Sequence, residues 1–160
     1  MKNNETEKLN TIEKKIELAA PISRVWQAIT DSKQFGQWFR VKFDEPFAVN
    51  QPIRGVLTYP GYEDRMMEIV VKKIEPENLF AYTWHPYAID TSVDYSNETP
   101  TLVEFHLQAQ NGGTLLTVIE SGFENVPAAR RDEAFRMNTN GWTHQVKNIE
   151  QYLALAAKTN

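Results

Sequence analysis

A chain of 160 residues, 41% hydrophobic and 24% charged, is long enough for one domain with a sizeable core, and this composition argues against wholesale disorder. The formal net charge of -4 offers no basic face for nucleic acid, and no Lys/Arg run adjoins an apolar helix as binding to a membrane surface would need. Cysteine is absent, which excludes disulfides and thiolate metal sites and suits a reducing compartment, so we expect a cytoplasmic protein.

The start of the chain predicts a polar tail followed by a strand. Residues 1–10 are polar throughout, and we expect them to form a flexible tail ahead of a single domain over residues 11–158. Apolar and charged residues alternate from Thr11 to Ala19, which is typical of a half-buried strand. Lys14 falls among the apolar positions of this alternation, which favours a place near a sheet edge.

Two short helices are predicted next. Pro21 suits the first turn of a helix, and the apolar residues after it follow helical spacing. The run Thr30-Asp31-Ser32 ends this helix and supplies a cap for a second one from Lys33 to Trp38, which Gly36 weakens.

The middle of the chain predicts about six strands. Turn signals separate them at Pro60-Gly61, at residues 75–78 and at residues 111–113. This close spacing leaves no room for crossover helices, so the sheet is predicted to be antiparallel. The predicted strands are Val41–Phe43, Ile53–Tyr59, Arg65–Ile74, Leu79–His85, Thr101–Gln110 and Thr114–Phe123.

A long helix is predicted from Ala128 to Ala157. Its apolar residues step along one stripe, and Gly141 within it suggests a kink or a close approach. A single amphipathic helix must bury its stripe, and the sheet is the only large partner. The sequence therefore predicts an α+β helix-grip fold, in which a curved antiparallel sheet of six to seven strands wraps around the C-terminal helix.

Short motifs between Ile12 and Leu153 support this fold in their order and spacing: Ala20-Pro21-Ile22, Val25-Trp26, Trp38-Phe39, Ile74-Glu75-Pro76, residues 79–84, Thr114-Leu115-Leu116-Thr117, residues 120–123 and Gly141-Trp142. Together they resemble the START and birch-pollen-allergen-like helix-grip superfamily, SRPBCC. Within it the chain is most similar to the branch named after the activator of the heat-shock chaperone ATPase, many of whose bacterial members have no assigned activity. The resemblance implies an apolar pocket between sheet and helix, since members bind lipids, sterols, polyketides or hormones and a few are cyclases or hydrolases.

Aromatic side chains from different predicted elements are the best candidates for a ligand site. Ile69, Val103 and Ile119 are expected to line the same cavity, and residues 85–100 are long and polar enough to form a lid. His85 or Tyr82 could orient a ligand, whereas the alternative for each aromatic residue is plain core packing. The predicted ligand-binding residues are Trp38, Phe39, Met67, Tyr82, Trp84, His85, Phe105, Phe135 and Trp142.

The sequence offers no firm catalytic set. His85, His106 and His144 lie on separate elements without metal-ligand spacing, and nucleophile-elbow, dinucleotide and phosphate-loop motifs are absent. We therefore expect no metal, no cofactor and no catalytic residue. A buried pair of carboxylates could perform acid–base chemistry, but most of the strand carboxylates are expected on the solvated face; the candidates are Asp64, Glu68, Glu104 and Glu120.

These patterns favour a binding protein over an enzyme. The predicted function is binding of a small hydrophobic ligand, such as a lipid, polyketide or aromatic metabolite, in the cavity between sheet and C-terminal helix. Two alternatives stay open: a polyketide cyclase- or hydrolase-like enzyme using the same cavity, and a co-chaperone-like protein-interaction module. The expected partner is thus a small molecule rather than nucleic acid or membrane, and a homodimer is a further alternative for which the sequence shows no interface.

Overall fold

The computed structural model describes residues 10–159, so the predicted flexible tail lies, except for Asn10, outside the described residues. One sheet of seven antiparallel strands dominates it: β1 (Thr11–Leu18), β2 (Val41–Phe43), β3 (Pro52–Leu57), β4 (Met66–Glu75), β5 (Leu79–Trp84), β6 (Thr101–Gln110) and β7 (Gly113–Ser121). Their order across the sheet is β1-β7-β6-β5-β4-β3-β2. The antiparallel arrangement is confirmed, and β1 with its Lys14 is an edge strand.

Two short helices, α1 (Ile22–Thr30) and α2 (Ser32–Phe39), carry the chain from edge strand β1 to the opposite edge strand β2. The predicted cap between them is confirmed, because the Asp31 carboxylate accepts hydrogen bonds from two backbone N–H groups at the start of α2. Gly36 lets α2 approach β2 closely, since a Cβ at this position would lie 2.1 Å from the Val41 carbonyl oxygen.

The long helix α3 spans Ala128–Thr159 and follows a short 3-10 turn at Phe123–Asn125. Trp142, Ile149 and Leu153 of its apolar stripe are buried against the sheet and the two short helices. A Cβ at Gly141 would meet nothing within 4 Å beyond its own helix, so the structure shows no close approach there. The helix-grip fold is therefore confirmed. In the part of the chain described, no helix is both long and apolar enough to cross a membrane.

Strand register aligns one row of side chains across four strands. Tyr82 of β5 pairs with Val103 of β6, Val103 pairs with Glu120 of β7, and Glu120 pairs with Ile12 of β1. All four side chains are buried on the face that α3 covers. Because side chains alternate along a strand, Ile119 lies on the opposite face and is half-buried outside the core. The prediction that Ile119 lines the interior is wrong.

Candidate functional site

Aromatic rings fill the space between the sheet and α3. Trp142 of α3 packs against Phe39, Trp84 and Phe105, with ring centroids 6.0, 5.8 and 5.8 Å away. Tyr82 packs against Trp84 at 5.4 Å and against Phe105 at 6.1 Å. The fold thus brings six of the nine predicted residues into one continuous cluster, which we call the ring cluster: Trp38, Phe39, Tyr82, Trp84, Phe105 and Trp142.

The ring cluster leaves little free volume. Beside Trp38, Trp142 and Ile149 the packing leaves no space that admits a water molecule. Trp38 and Trp142 are only 3% and 2% exposed, so neither ring faces an open cleft. In this structure the interior is closed.

A carboxylate lies at one end of the ring cluster. Glu120 is 0% exposed, and four neutral groups donate hydrogen bonds to it. The indole Nε1 atoms of Trp84 and Trp142 donate at 2.7 and 2.8 Å, and the Thr101 hydroxyl donates at 2.6 Å. The Asn138 amide of α3 donates to both carboxylate oxygens, at 2.9 and 3.2 Å. We call these four residues with Glu120 the carboxylate clasp.

The carboxylate clasp joins the sheet to the long helix. Trp84 ends β5, Thr101 begins β6 and Glu120 lies near the end of β7, whereas Asn138 and Trp142 are one helical turn apart on α3. No salt bridge reaches Glu120 among the described residues. Neutral donors alone therefore hold a buried negative charge, which is a costly arrangement that hydrogen bonding offsets in part.

Tyr82 adds a second buried polar group to the interior, within reach of the Glu120 charge. Its hydroxyl is buried and has no hydrogen-bond partner within the described part of the chain. Burial, and then the charge of Glu120, raise the pKa of Tyr82 well above its usual range, so the hydroxyl stays protonated near neutral pH. It is consequently a free hydrogen-bonding group facing the interior.

The other three predicted ligand residues lie elsewhere. Met67 of β4 is buried in the core, and Phe135 of α3 is half-buried against Phe123, with ring centroids 5.1 Å apart. His85 follows Trp84, and its buried Nδ1 atom has no hydrogen-bond partner among the described residues. His85 therefore lies at the end of β5, close in sequence to the carboxylate clasp.

Residues 85–100, which we call the strap, connect Trp84 to Thr101 and are fastened to α3. Arg130 donates to both Glu98 carboxylate oxygens, with the shortest contact at 2.6 Å, and to the Pro86 carbonyl at 2.7 Å. The Arg130 guanidinium also lies over the Tyr95 ring, 4.8 Å from its centroid. The strap begins next to Trp84 and ends next to Thr101, which both donate hydrogen bonds to Glu120. A movement of the strap would therefore displace these two donors.

The remaining carboxylate and histidine candidates face outward. Asp64 and Glu68 are exposed, and Glu68 of β4 forms a cross-strand ion pair with Arg54 of β3 on the outer surface. His106 lies 3.6 Å from Glu104 on the outer face of β6. A larger crevice at the β6–β7 turn is lined by residues 17–19 and 110–114 and opens to solvent. It lacks the aromatic rings or buried charge of a ligand site.

The family described as "Activator of Hsp90 ATPase homolog 1-like protein", AHSA1, matches residues 19–154. The chain belongs to the AHSA1 family. This membership confirms the resemblance drawn from the motifs, and it places both the ring cluster and the carboxylate clasp within an AHSA1 domain. No curated protein of known function matches the chain.

Solved structures share the fold of this AHSA1 chain at low sequence identity. Protein MLL2253 from Mesorhizobium loti is 22% identical with a TM-score of 0.71, covering 90% of this chain and 96% of its own. The Aha1 dimer from Colwellia psychrerythraea is 14% identical with a TM-score of 0.65, covering 88% and 92%. DynU16, from the dynemicin biosynthetic locus, is 21% identical with a TM-score of 0.67 over 91% of this chain, which spans only 47% of DynU16. These likenesses show the fold alone.

Sequence reasoning missed most of the carboxylate clasp. Thr101 and Asn138 were not candidates, and Glu120 was considered only among carboxylates expected to be mainly solvated. One signal could have found Glu120: it has the same strand parity as Leu116 and Val118. Apolar residues on both parities of β7 hide this signal, because Leu115 and Ile119 alternate with them.

Proposed function

We propose that this AHSA1 protein binds a small, predominantly apolar molecule, such as a lipid, polyketide or aromatic metabolite, between the sheet and α3. The observation that carries the proposal is Glu120, a fully buried carboxylate at the edge of the ring cluster without a cationic partner in the described chain. In this proposal the rings supply apolar contact and Glu120 with Tyr82 supplies polar orientation.

The energetic cost of burying Glu120 supports a role beyond packing. Replacing a buried ionic group with well-packed apolar residues is often neutral or stabilising, so stability alone does not require a carboxylate there. An acidic side chain is almost never fully buried unless it is paired, so a buried carboxylate without a cationic partner calls for an explanation other than packing. Packing alone does not require the unpaired Tyr82 hydroxyl either, since a phenylalanine would pack equally well at this position.

Ligand entry requires the closed interior to open, and the strap offers the route. The Arg130–Glu98 pair that fastens the strap is partly solvated, with side chains 21% and 18% exposed, so it is a weaker constraint than a core contact. Releasing it would free the ends of β5 and β6, where Trp84 and Thr101 contact Glu120. Apolar burial at about 25 cal/mol per Å² would then supply most of the affinity.

The protein-interaction alternative has an observation of its own. Val56 and Met66 are paired across β3 and β4 on the outer face, 41% and 55% exposed, while the interior is closed. A partner protein covering this pair would explain a folded domain that takes up no ligand. The two proposals separate cleanly, because the first needs the interior and the second needs only the surface.

We further propose a cytoplasmic location and a homodimeric assembly. The absence of cysteine suits a cytoplasmic protein. A homodimer is proposed because the Colwellia psychrerythraea neighbour is described as a dimer. Size-exclusion chromatography with light scattering tests it, and a monomer mass at high micromolar concentration would contradict it.

The binding proposal is tested by titrating the protein with N-phenyl-1-naphthylamine, a neutral fluorophore that brightens in apolar surroundings. We expect saturable binding that Trp142→Phe weakens several-fold, because this change removes an indole N–H from the carboxylate clasp and leaves an apolar ring. Trp26→Phe is the matched control, since Trp26 is half-buried on α1 outside both clusters. Absence of saturable binding, or equal weakening by both variants, would contradict the proposal.

A further inference from the structure

The charged groups of the interior indicate which class of small apolar molecule the protein binds. Glu120 is the only Asp, Glu, Lys, Arg or His side chain that is fully buried among the described residues, and all its donors are neutral. Lys14 of β1 shares the inner face, but it is half-buried and forms no salt bridge there. Among the described residues, the interior thus contains one carboxylate without a cationic partner.

The surroundings of Glu120 are apolar apart from its neutral donors. Trp84 and Trp142 direct their indole N–H edges at the carboxylate, their rings pack against each other, and the Trp84 ring packs against Tyr82. No group of three or more His, Asp or Glu side chains converges in the described chain, so the donor set does not fit a metal ion. A singly charged organic cation with an apolar body matches both the carboxylate and the rings.

We propose that the ligand is an apolar primary amine whose ammonium group binds Glu120. This inference rests on the proposed binding function and names the chemical class that the site prefers. Within the carboxylate clasp, Asn138 is the donor that the ammonium replaces. Its side-chain amide nitrogen donates to both Glu120 carboxylate oxygens, at 2.9 and 3.2 Å, and the residue is half-buried on α3. An ammonium in its place forms charge-assisted hydrogen bonds, which are about twice as strong as neutral ones.

The unpaired Tyr82 hydroxyl fits the same ligand. Its oxygen is buried, lies within reach of the Glu120 charge, and is free to accept a hydrogen bond without displacing an existing partner in the described chain. An ammonium has three N–H donors, so it could engage both Glu120 oxygens and the Tyr82 oxygen. The two indole N–H donors would keep their present bonds to the carboxylate.

The test compares 2-naphthylmethylamine with 2-naphthylmethanol, which match in size and differ in charge at neutral pH. Both compete against N-phenyl-1-naphthylamine for the wild-type protein and for Glu120→Gln. We expect the amine to bind at least about tenfold more tightly than the alcohol, and this ratio to fall towards one in Glu120→Gln. Equal affinities in the wild-type protein would overturn the amine inference and leave the binding function standing. No binding of any of the three compounds would overturn both.

A second pair of variants keeps the test decisive should Glu120→Gln fail to fold. Asn138→Ala removes the replaceable donor, so we expect the amine-to-alcohol ratio to rise. Asn140→Ala is the control, because Asn140 is exposed on the same helix, and its ratio should equal that of the wild type. A ratio that falls or stays constant in Asn138→Ala would contradict the assignment of the ammonium position.

Discussion

Replacing Glu120 with Gln tests whether the carboxylate clasp holds the long helix against the sheet. In the wild type, one carboxylate oxygen accepts from Trp84, Thr101 and Asn138, and the other accepts from Trp142 and Asn138. A glutamine amide presents one oxygen and one NH₂ group, so an N–H must face one of the two indole donors. At least one buried indole N–H then loses its acceptor.

The magnitude follows from two opposed effects. A buried donor left without an acceptor costs about 1–3 kcal/mol, and the remaining bonds weaken from charge-assisted to neutral. Removing the buried charge relieves some desolvation cost, but the fixed donors around Glu120 are arranged for a carboxylate, and removing one partner of such an arrangement destabilises it. We expect a net loss of about 1–3 kcal/mol, and each kcal/mol lowers Tm by about 2–4 °C in a chain of this size.

Urea unfolding followed by tryptophan emission measures this loss. Glu124→Gln is the matched control, because Glu124 lies exposed four residues away, and we expect its unfolding midpoint to equal that of the wild type. The slope of the transition should stay constant, since the surface exposed on unfolding is the same. A Glu120→Gln protein as stable as the wild type, or more stable, would refute the view that these hydrogen bonds anchor α3.

Three further predictions follow from individual residues. Tyr82→Phe removes an unpaired hydroxyl and should change stability at pH 7 by less than about 1 kcal/mol. Because the pKa of Tyr82 is raised in the folded state, the stability of the wild type should fall more steeply than that of the variant above about pH 10. Identical alkaline stability profiles of the two proteins in urea unfolding would contradict this. Arg130→Gln should speed hydrogen exchange in the strap with a global loss of about 1 kcal/mol or less, whereas unchanged exchange would show that Arg130 does not fasten it. Gly36→Ala should destabilise the protein by more than about 1 kcal/mol, because its Cβ would lie 2.1 Å from a backbone oxygen of β2. Gly141→Ala, which has open space at its Cβ, should stabilise the protein by up to about 1 kcal/mol. Thermal unfolding of both variants checks the contrast, and Tm shifts of the same sign would contradict it.

The fold was largely predictable because its signals are local. The alternation in β1, the Asp31 cap and the turn at residues 111–113 each fix an element without reference to the rest of the chain. The predicted bounds of β2 and β6, Val41–Phe43 and Thr101–Gln110, agree with the structure. The helix-grip arrangement then follows, since one amphipathic helix and one sheet can bury their apolar faces only against each other.

The site was less predictable because it depends on which face each strand turns inward. The β7 sequence has apolar residues on both parities, so Ile119 was placed inside and the inward position of Glu120 was not recognised. Tyr82 and Trp84 were identified as large aromatic residues, but their relation to Glu120 arises from strand register over distant parts of the chain. Asn138 belongs to the carboxylate clasp from the long helix. No local sequence pattern specifies the rotation of that helix about its axis precisely enough to predict which side chain meets Glu120.

Whether a ligand enters between sheet and helix can be observed through the four tryptophan indole N–H signals in a ¹H–¹⁵N NMR spectrum. Addition of N-phenyl-1-naphthylamine is predicted to shift the indole signals of Trp84 and Trp142, which donate to Glu120, and to leave that of Trp26 unchanged. Constant positions for the Trp84 and Trp142 signals at a saturating probe concentration would contradict binding in the interior and direct attention to the outer face at Val56 and Met66.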